Sequence, residues 1–218
     1  LNRIKGHVYY VLEDYEMALE FYYTALNSFS KIKATPQLVK IYNNIGIAEA
    51  YRDVENAKKY TELAYTMAKQ YGMKLESAKT AMTFAVINQQ KRLFVDAERE
   101  IEDSLKIFKG ISSQSGIAIA LYQKSLIKFS KGEYTEALLS AKEAVDLLYQ
   151  RETLADQIWV IKGLLLQSVI YDFKGDEKKS CKLREQFPII TTFEGIDSLV
   201  EKLESNIKCF ATHAGNLT

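Results

Sequence analysis

Residue types that support acid–base, nucleophilic or metal chemistry are sparse in this 218-residue sequence. It has two histidines, His7 and His213, near opposite ends of the chain, and two cysteines, Cys181 and Cys209. A hydrolytic triad or a histidine metal site needs a base with an orienting partner, and neither histidine has one at motif spacing. Two cysteines are too few for a disulfide framework and are not spaced as a metal site, which leaves free thiols or one late bridge. No Gly-rich phosphate loop, paired-cysteine motif or His-Glu-x-x-His occurs. Carboxylates crowd at Glu98, Glu100, Glu102 and Asp103, a pattern typical of the solvated face of a helix. The sequence therefore predicts no enzyme, no cofactor and no metal.

The charge balance narrows the partners. Lys and Arg total 29 against 28 Asp and Glu, a net charge of +1, which lacks the broad positive field of a nucleic-acid binder. The densest basic stretch, Lys178, Lys179, Lys182 and Arg184, is offset by Asp176, Glu177 and Glu185. The most apolar stretch, Trp159 to Leu166, is broken by Lys162 and Gly163, so no membrane span is expected. The chain begins at Leu1 without a leader signature, and its compartment stays open, with a cytoplasmic setting preferred to a periplasmic one. With 47% hydrophobic residues but only 2 Pro and 10 Gly, the composition favours a packed core of long helices.

The elements that must position any binding residues show themselves as a repeat. Tyr15-x-x-Ala18, Val54-x-x-Ala57, Phe94-x-x-Ala97 and Tyr134-x-x-Ala137 recur at spacings of 39, 40 and 40 residues. Seven residues after each alanine comes another small residue, Ala25, Ala64, Ser104 or Ala144, on the same helix face two turns on. Eleven or twelve residues before each lies a further one, Gly6, Gly46, Ala85 or Ser125. Each unit is thus predicted to be two antiparallel helices in close contact, with aromatics filling the gap to the next unit. A fifth, degraded copy carries Ser168, Ser180 and a Gly175-Asp176 turn.

Gly6-x-x-Tyr9, Tyr15, Ala18-x-x-x-Tyr22 and Ala25 resemble the tetratricopeptide repeat, and Asn43-Asn44-Ile45-Gly46 with Ala57 and Ala64 match its second copy, although Glu49 replaces the aromatic three residues after Gly46. The period exceeds the usual length, which is similar to the long repeats of bacterial signalling proteins such as peptide-pheromone receptors. It also resembles arrays fused to diguanylate cyclases, histidine kinases and transcription activators. The resemblance implies an all-α, right-handed α-solenoid of about five helix-turn-helix repeats. The array is expected over residues 1–187 with its first repeat truncated, then a capping helix over 188–210 and a disordered tail over 211–218. The predicted helices are Asn2 to Leu12, Asp14 to Lys31, Pro36 to Tyr51, Val54 to Tyr71, Leu75 to Lys91, Val95 to Phe108, Ser115 to Lys131, Thr135 to Gln150, Leu154 to Phe173 and Glu177 to Gln186. In the last helix Ile196, Leu199, Val200, Leu203 and Ile207 form one stripe.

In that superfamily the first helix of each pair lines a concave groove, and helical phase assigns its residues here. They are Arg3, His7, Asn43, Asn44, Ile47, Tyr51, Lys79, Met82, Gln89, Tyr122, Gln123, Leu126, Phe129, Leu166 and Phe173. Amides satisfy a bound backbone's donors and acceptors while Tyr, Leu and Phe form side-chain pockets, a combination that suits a peptide. The places of a carboxylate clamp fall on Arg3, His7, Asn44, Lys79 and Thr83. His7 and Thr83 depart from that pattern, which leaves the clamp without its second amide and one charge. The function expected is a non-enzymatic protein- or peptide-binding module of a larger bacterial signalling or regulatory protein, with a fused output domain beyond this segment. The alternative is a scaffold that self-associates or assembles complexes, as a homo-oligomer, through convex or terminal surfaces.

Overall fold

Helix starts and stops are written locally. Asp14 accepts from the Met17 amide, Asp53 from Glu55 and Asn56, Ser113 from Gly116, Thr153 from Asp156 and Asp176 from Lys179, each satisfying an otherwise unpaired first-turn donor. Pro36 stands in the first turn of its helix, where its missing N–H costs nothing. At the other end, seven of the described residues take left-handed backbone angles: Gly72, Gly132 and Gly175, and without glycine's freedom Glu13, Lys33, Arg92 and Ser112. The amide one residue later reaches back to close a six-residue loop, as in Asp14 to the Tyr9 carbonyl (2.9 Å), Met73 to Ala68 (2.8 Å), Leu93 to Asn88 (2.8 Å) and Glu133 to Lys128 (3.0 Å). This is the bond pattern that ends a helix sharply and reverses the chain.

The computed structural model describes residues 1–151 and 153–186. Its elements are α1 (Asn2–Val11), α2 (Tyr15–Lys31), α3 (Thr35–Glu49), α4 (Val54–Gln70), α5 (Lys74–Gln90), α6 (Phe94–Gly110), α7 (Gln114–Ser130), α8 (Tyr134–Leu148), α9 (Leu154–Phe173) and α10 (Glu177–Arg184). Among the described residues all regular structure is helical. The predicted helices match in number and order, with ends moved by a residue or two. The third stops at Glu49 rather than Tyr51, and the sixth runs past Phe108 to Gly110. The predicted capping helix, its apolar stripe, Cys209, His213 and the tail lie outside the described residues. No described helix is long and apolar enough to cross a membrane.

The chain divides into two compact units, Leu1–Ser112 and Ser113–Thr218. In the first, α1 packs on α2, α3 on α4 and α5 on α6; in the second, α7 packs on α8 and α9 on α10. First helices also meet one another, α1 with α3, α3 with α5, and α7 with α9. That arrangement makes them the inner layer of each unit.

The small residues sit where the repeat grammar requires. Ala18, Ala57, Ala64, Ala97, Ser104, Ala137, Ala85 and Ser125 have no exposed surface. A methyl group built on Gly6 would come within 2.5 Å of the Tyr22 ring and 3.0 Å of the Ala18 carbonyl, and one on Gly46 would strike the Thr61 hydroxyl. Where serine replaces alanine or glycine, its hydroxyl bonds the partner helix: Ser104 donates to the Ala78 carbonyl (2.8 Å) and Ser125 to the Ala137 carbonyl (2.7 Å). Close approach thus gains a hydrogen bond without a void.

Candidate functional site

The inner face of the first unit is built from α1, α3 and α5. Rings form a chain across its edge: His7 lies 6.1 Å from Tyr10, Tyr10 6.0 Å from Tyr15, and Tyr15 stacks on Tyr51 at 4.5 Å. His7 is exposed, while Arg3, Tyr10, Tyr15 and Tyr51 are half-buried. Ile47 is buried in a cluster with Val86 and Ile87, against which Tyr10 and Tyr51 pack. Sequence phase selected His7 and Tyr51 but missed Tyr15, which comes from α2. Its signal was present, because Tyr15 holds the aromatic place of the repeat pattern three residues before Ala18.

Polar residues of this face are largely engaged with one another. The Thr83 hydroxyl lies 3.0 Å from both Asn43 Oδ1 and the Lys79 carbonyl, its acceptors, joining α5 to α3 at a separation of one repeat. Asn43 is 5% exposed and Thr83 fully buried. Lys79 pairs with the buried Glu76 at 3.4 Å. Asn44 and Met82 are half-buried and Gln89 is buried. Two of the five clamp places, Lys79 and Thr83, are therefore occupied by contacts within the fold. Glu49, which takes an aromatic's place, is buried and accepts from the Tyr23 hydroxyl at 2.8 Å. Burial, and next the hydrogen bond to this carboxylate, raise the Tyr23 hydroxyl far above its ordinary range.

The second unit presents α7 and α9. Tyr122 meets Trp159 edge-on at 5.5 Å, and the Lys162 ammonium lies over the Trp159 ring at 5.2 Å, a cation–π contact. Tyr122, Gln123, Leu126 and Lys162 are all buried. Phe129 packs against Phe173 at 5.4 Å and Tyr134 at 5.8 Å. Phe129 and Leu166 have no exposed surface and belong to the core, whereas Phe173 is 43% exposed. Helical phase did not select Trp159, because it sits in a nearly continuous apolar run where phase cannot separate one helix face from another.

The register between α7 and α9 is fixed by a buried carboxylate. Asp156 accepts from Ser115 Oγ (2.9 Å), Arg151 Nε (2.8 Å) and Thr153 Oγ1 (2.7 Å). Burial pushes its pKa up, but the bonds from Arg151, Thr153 and Ser115 together outweigh burial and hold it below the usual carboxylate range. An open cleft of about 510 Å³ between α4, α5 and α6 is lined by residues such as Tyr65, Lys69, Ala81 and Ile107, and by none of the predicted site residues. Among the described residues no cluster of three or more His, Cys, Asp or Glu is placed to hold a metal. Cys181 is an exposed thiol on α10.

No protein-family model matches the sequence. No curated protein matches it either. Solved structures do. A Rap protein, in a crystal structure described as complexed with competence and sporulation factor, matches with a TM-score of 0.80 and 14% identity over 99% of this chain. The present chain spans 62% of that protein's length. BtubC (BKLC) from P. vanneervenii matches with a TM-score of 0.62 and 18% identity, over 85% of this chain and 76% of that one. The tetratricopeptide-like helical repeat fold implied by the sequence is thus the fold of this chain.

Proposed function

We propose that this chain is a non-enzymatic binding module that takes a peptide or partner segment on the inner faces of its first helices. The observation that carries the reading is the make-up of those faces. In the first unit the half-buried amide Asn44 belongs to the same helix layer as the exposed His7 and the stacked pair Tyr15 and Tyr51, and the second unit adds the ring pair Tyr122 and Trp159. Amides answer the backbone of a bound segment, and rings offer apolar area with little entropy to lose. The likeness to a Rap protein that holds a bound factor supports the same reading. Within it the chain serves as the sensor or interaction domain of a larger bacterial signalling or regulatory protein. A synthetic random octapeptide pool passed over immobilised chain tests this, with retained peptides then titrated calorimetrically. Asn44→Ala and Tyr51→Ala should each weaken binding by about 5–30-fold, the ordinary size of an interface contact of about 1–2 kcal/mol. Unchanged affinity in both would remove the inner face as the site.

A second reading rests on a separate observation. Ile4 and Val8 on α1, with Leu1 just before it, form an apolar stripe that is 59%, 52% and 88% exposed respectively. Such a stripe suits assembly through a terminal surface. If it mediates self-association, sedimentation should show a concentration-dependent dimer that Val8→Glu dissolves.

A further inference from the structure

Repeat packing leaves two features of the first unit unexplained, and both belong to the cleft between α4, α5 and α6. The first is Gly110. A glycine within a helix weakens it relative to alanine. Gly6 and Gly46 are required because a methyl group there would strike a neighbour, and Gly72 because it takes a left-handed angle. Gly110 is part of α6 without a left-handed angle, and a methyl group built on it would meet nothing within 4 Å. The reversal after α6 is made by Ser112 instead, forty residues beyond Gly72. What the missing side chain does is leave the cleft open beside α6.

The second feature is charge. Lys69, Lys74 and Lys106 are exposed and line the same cleft. Lys69 lies in the last turn of α4, where the helix dipole favours a cation, and its ammonium rests 4.6 Å from the centre of the Tyr65 ring. Lys74 is the first residue of α5, where the dipole opposes it. Among the described residues neither Lys74 nor Lys106 is ion-paired with a carboxylate. Because α5 starts where α4 stops and where α6 draws to its close, the three lysines share one end of the cleft. Like charges gathered there repel one another unless an anion comes between them. Along α6 the sign changes: Glu100 and Asp103 line the cleft first, and Lys106 and Gly110 follow a turn or two later. Apolar surface is supplied by Tyr65, Ala81, Ile107 and Ile111.

We infer that this cleft binds a small organic monoanion, a carboxylate carried on an aromatic or aliphatic body. The carboxylate sits among Lys69, Lys74 and Lys106, whose ammonium groups donate charge-assisted hydrogen bonds to it. The body takes the room left by Gly110, against Tyr65, Ile107 and Ile111. A volume of about 510 Å³ falls within the range of pockets that hold small molecules. Asp103 and Glu100, at the other end, repel a second negative charge and so select against dicarboxylates. None of the residues proposed to meet a peptide lines this cleft, so the inference stands whatever the inner faces bind.

The test titrates the full chain calorimetrically with 4-phenylbutyrate and octanoate, and with 4-phenylbutanol and suberate as their uncharged and doubly charged counterparts. At least one monoanion should bind with a dissociation constant below about 1 mM, and its counterpart about tenfold or more weakly. Gly110→Leu puts a side chain into the cleft and should abolish binding while the melting temperature stays at or above wild type. The double change Lys74→Gln with Lys106→Gln should weaken binding about tenfold. The inference is overturned if neither monoanion binds the wild-type chain, if the counterparts bind as tightly, or if Gly110→Leu keeps full affinity. Should Gly110→Leu fail to fold, the lysine pair decides, and unchanged affinity there overturns the inference.

Discussion

The two units follow the same repeat grammar and bury the same small residues, yet they treat polar side chains on their inner helices differently. In the first, Thr83 meets Asn43 and Lys79 meets Glu76. In the second, Asp156 gathers three donors at the start of α9, while Gln123 is left buried and unpaired. Paired groups return the cost of burying them, and unpaired ones do not. The contrast therefore separates side chains whose burial is offset by a bond within their own unit from one whose burial is not.

The largest expected effect concerns Phe129, which phase placed in a groove and the structure places wholly inside. Phe129→Ala should cost about 3–5 kcal/mol in urea denaturation, the range for emptying a phenylalanine site in a core. Tyr51→Ala, at a half-buried ring of the first unit, should cost clearly less. Equal losses would erase the distinction between core and face.

Next is Asp156. Asp156→Ala should cost about 2 kcal/mol, the scale of hydrogen bonds to a charged group. The sign of its pH dependence follows from the depressed pKa. A carboxylate held below its unfolded value of about 3.9 contributes stability that is fully present above that value and lost as pH falls through the folded pKa. The gap in stability between wild type and Asp156→Asn should accordingly close on acidification below about pH 4. A gap constant from pH 7 to pH 2 would show that the charge is not what joins α7 to α9.

A smaller effect sharpens the other side of the contrast. Thr83→Val leaves Asn43 Oδ1 without its donor and should cost about 1–2 kcal/mol, while the double change Thr83→Val with Asn43→Leu should recover part of it. The smallest effect is a gain. Arg92 holds a left-handed angle with a φ of 59°, and Arg92→Gly should stabilise by up to about 1 kcal/mol, measured as a small rise in melting temperature.

The fold was legible because close packing between paired helices admits only small residues, and Ala18, Ala57, Ala97 and Ala137 repeat at a fixed spacing. Turns were less legible. Glu13, Lys33, Arg92 and Ser112 reverse the chain without glycine or proline, since the returning amide bonds fix the backbone whatever the side chain. The candidate site was legible in direction but not in depth. Phase identifies which way Phe129, Leu166 and Gln123 point on their helices, whereas burial depends on helices contributed forty residues away. Trp159 escaped because its apolar run on α9 hides the phase, and Tyr15 because it comes from α2 rather than from a first helix. The orphaned state of Gln123 is visible only in three dimensions, because a glutamine on a repeat helix reads as ordinary surface.

The most direct test of the inner-face reading is to follow side-chain amide resonances of the nitrogen-15 labelled chain as a pool-selected octapeptide is added. The account predicts that the NH₂ pair of the half-buried Asn44 shifts on binding and that the pair of Asn43, buried and bonded to Thr83, stays where it is. A shift at Asn43 with none at Asn44 would contradict it.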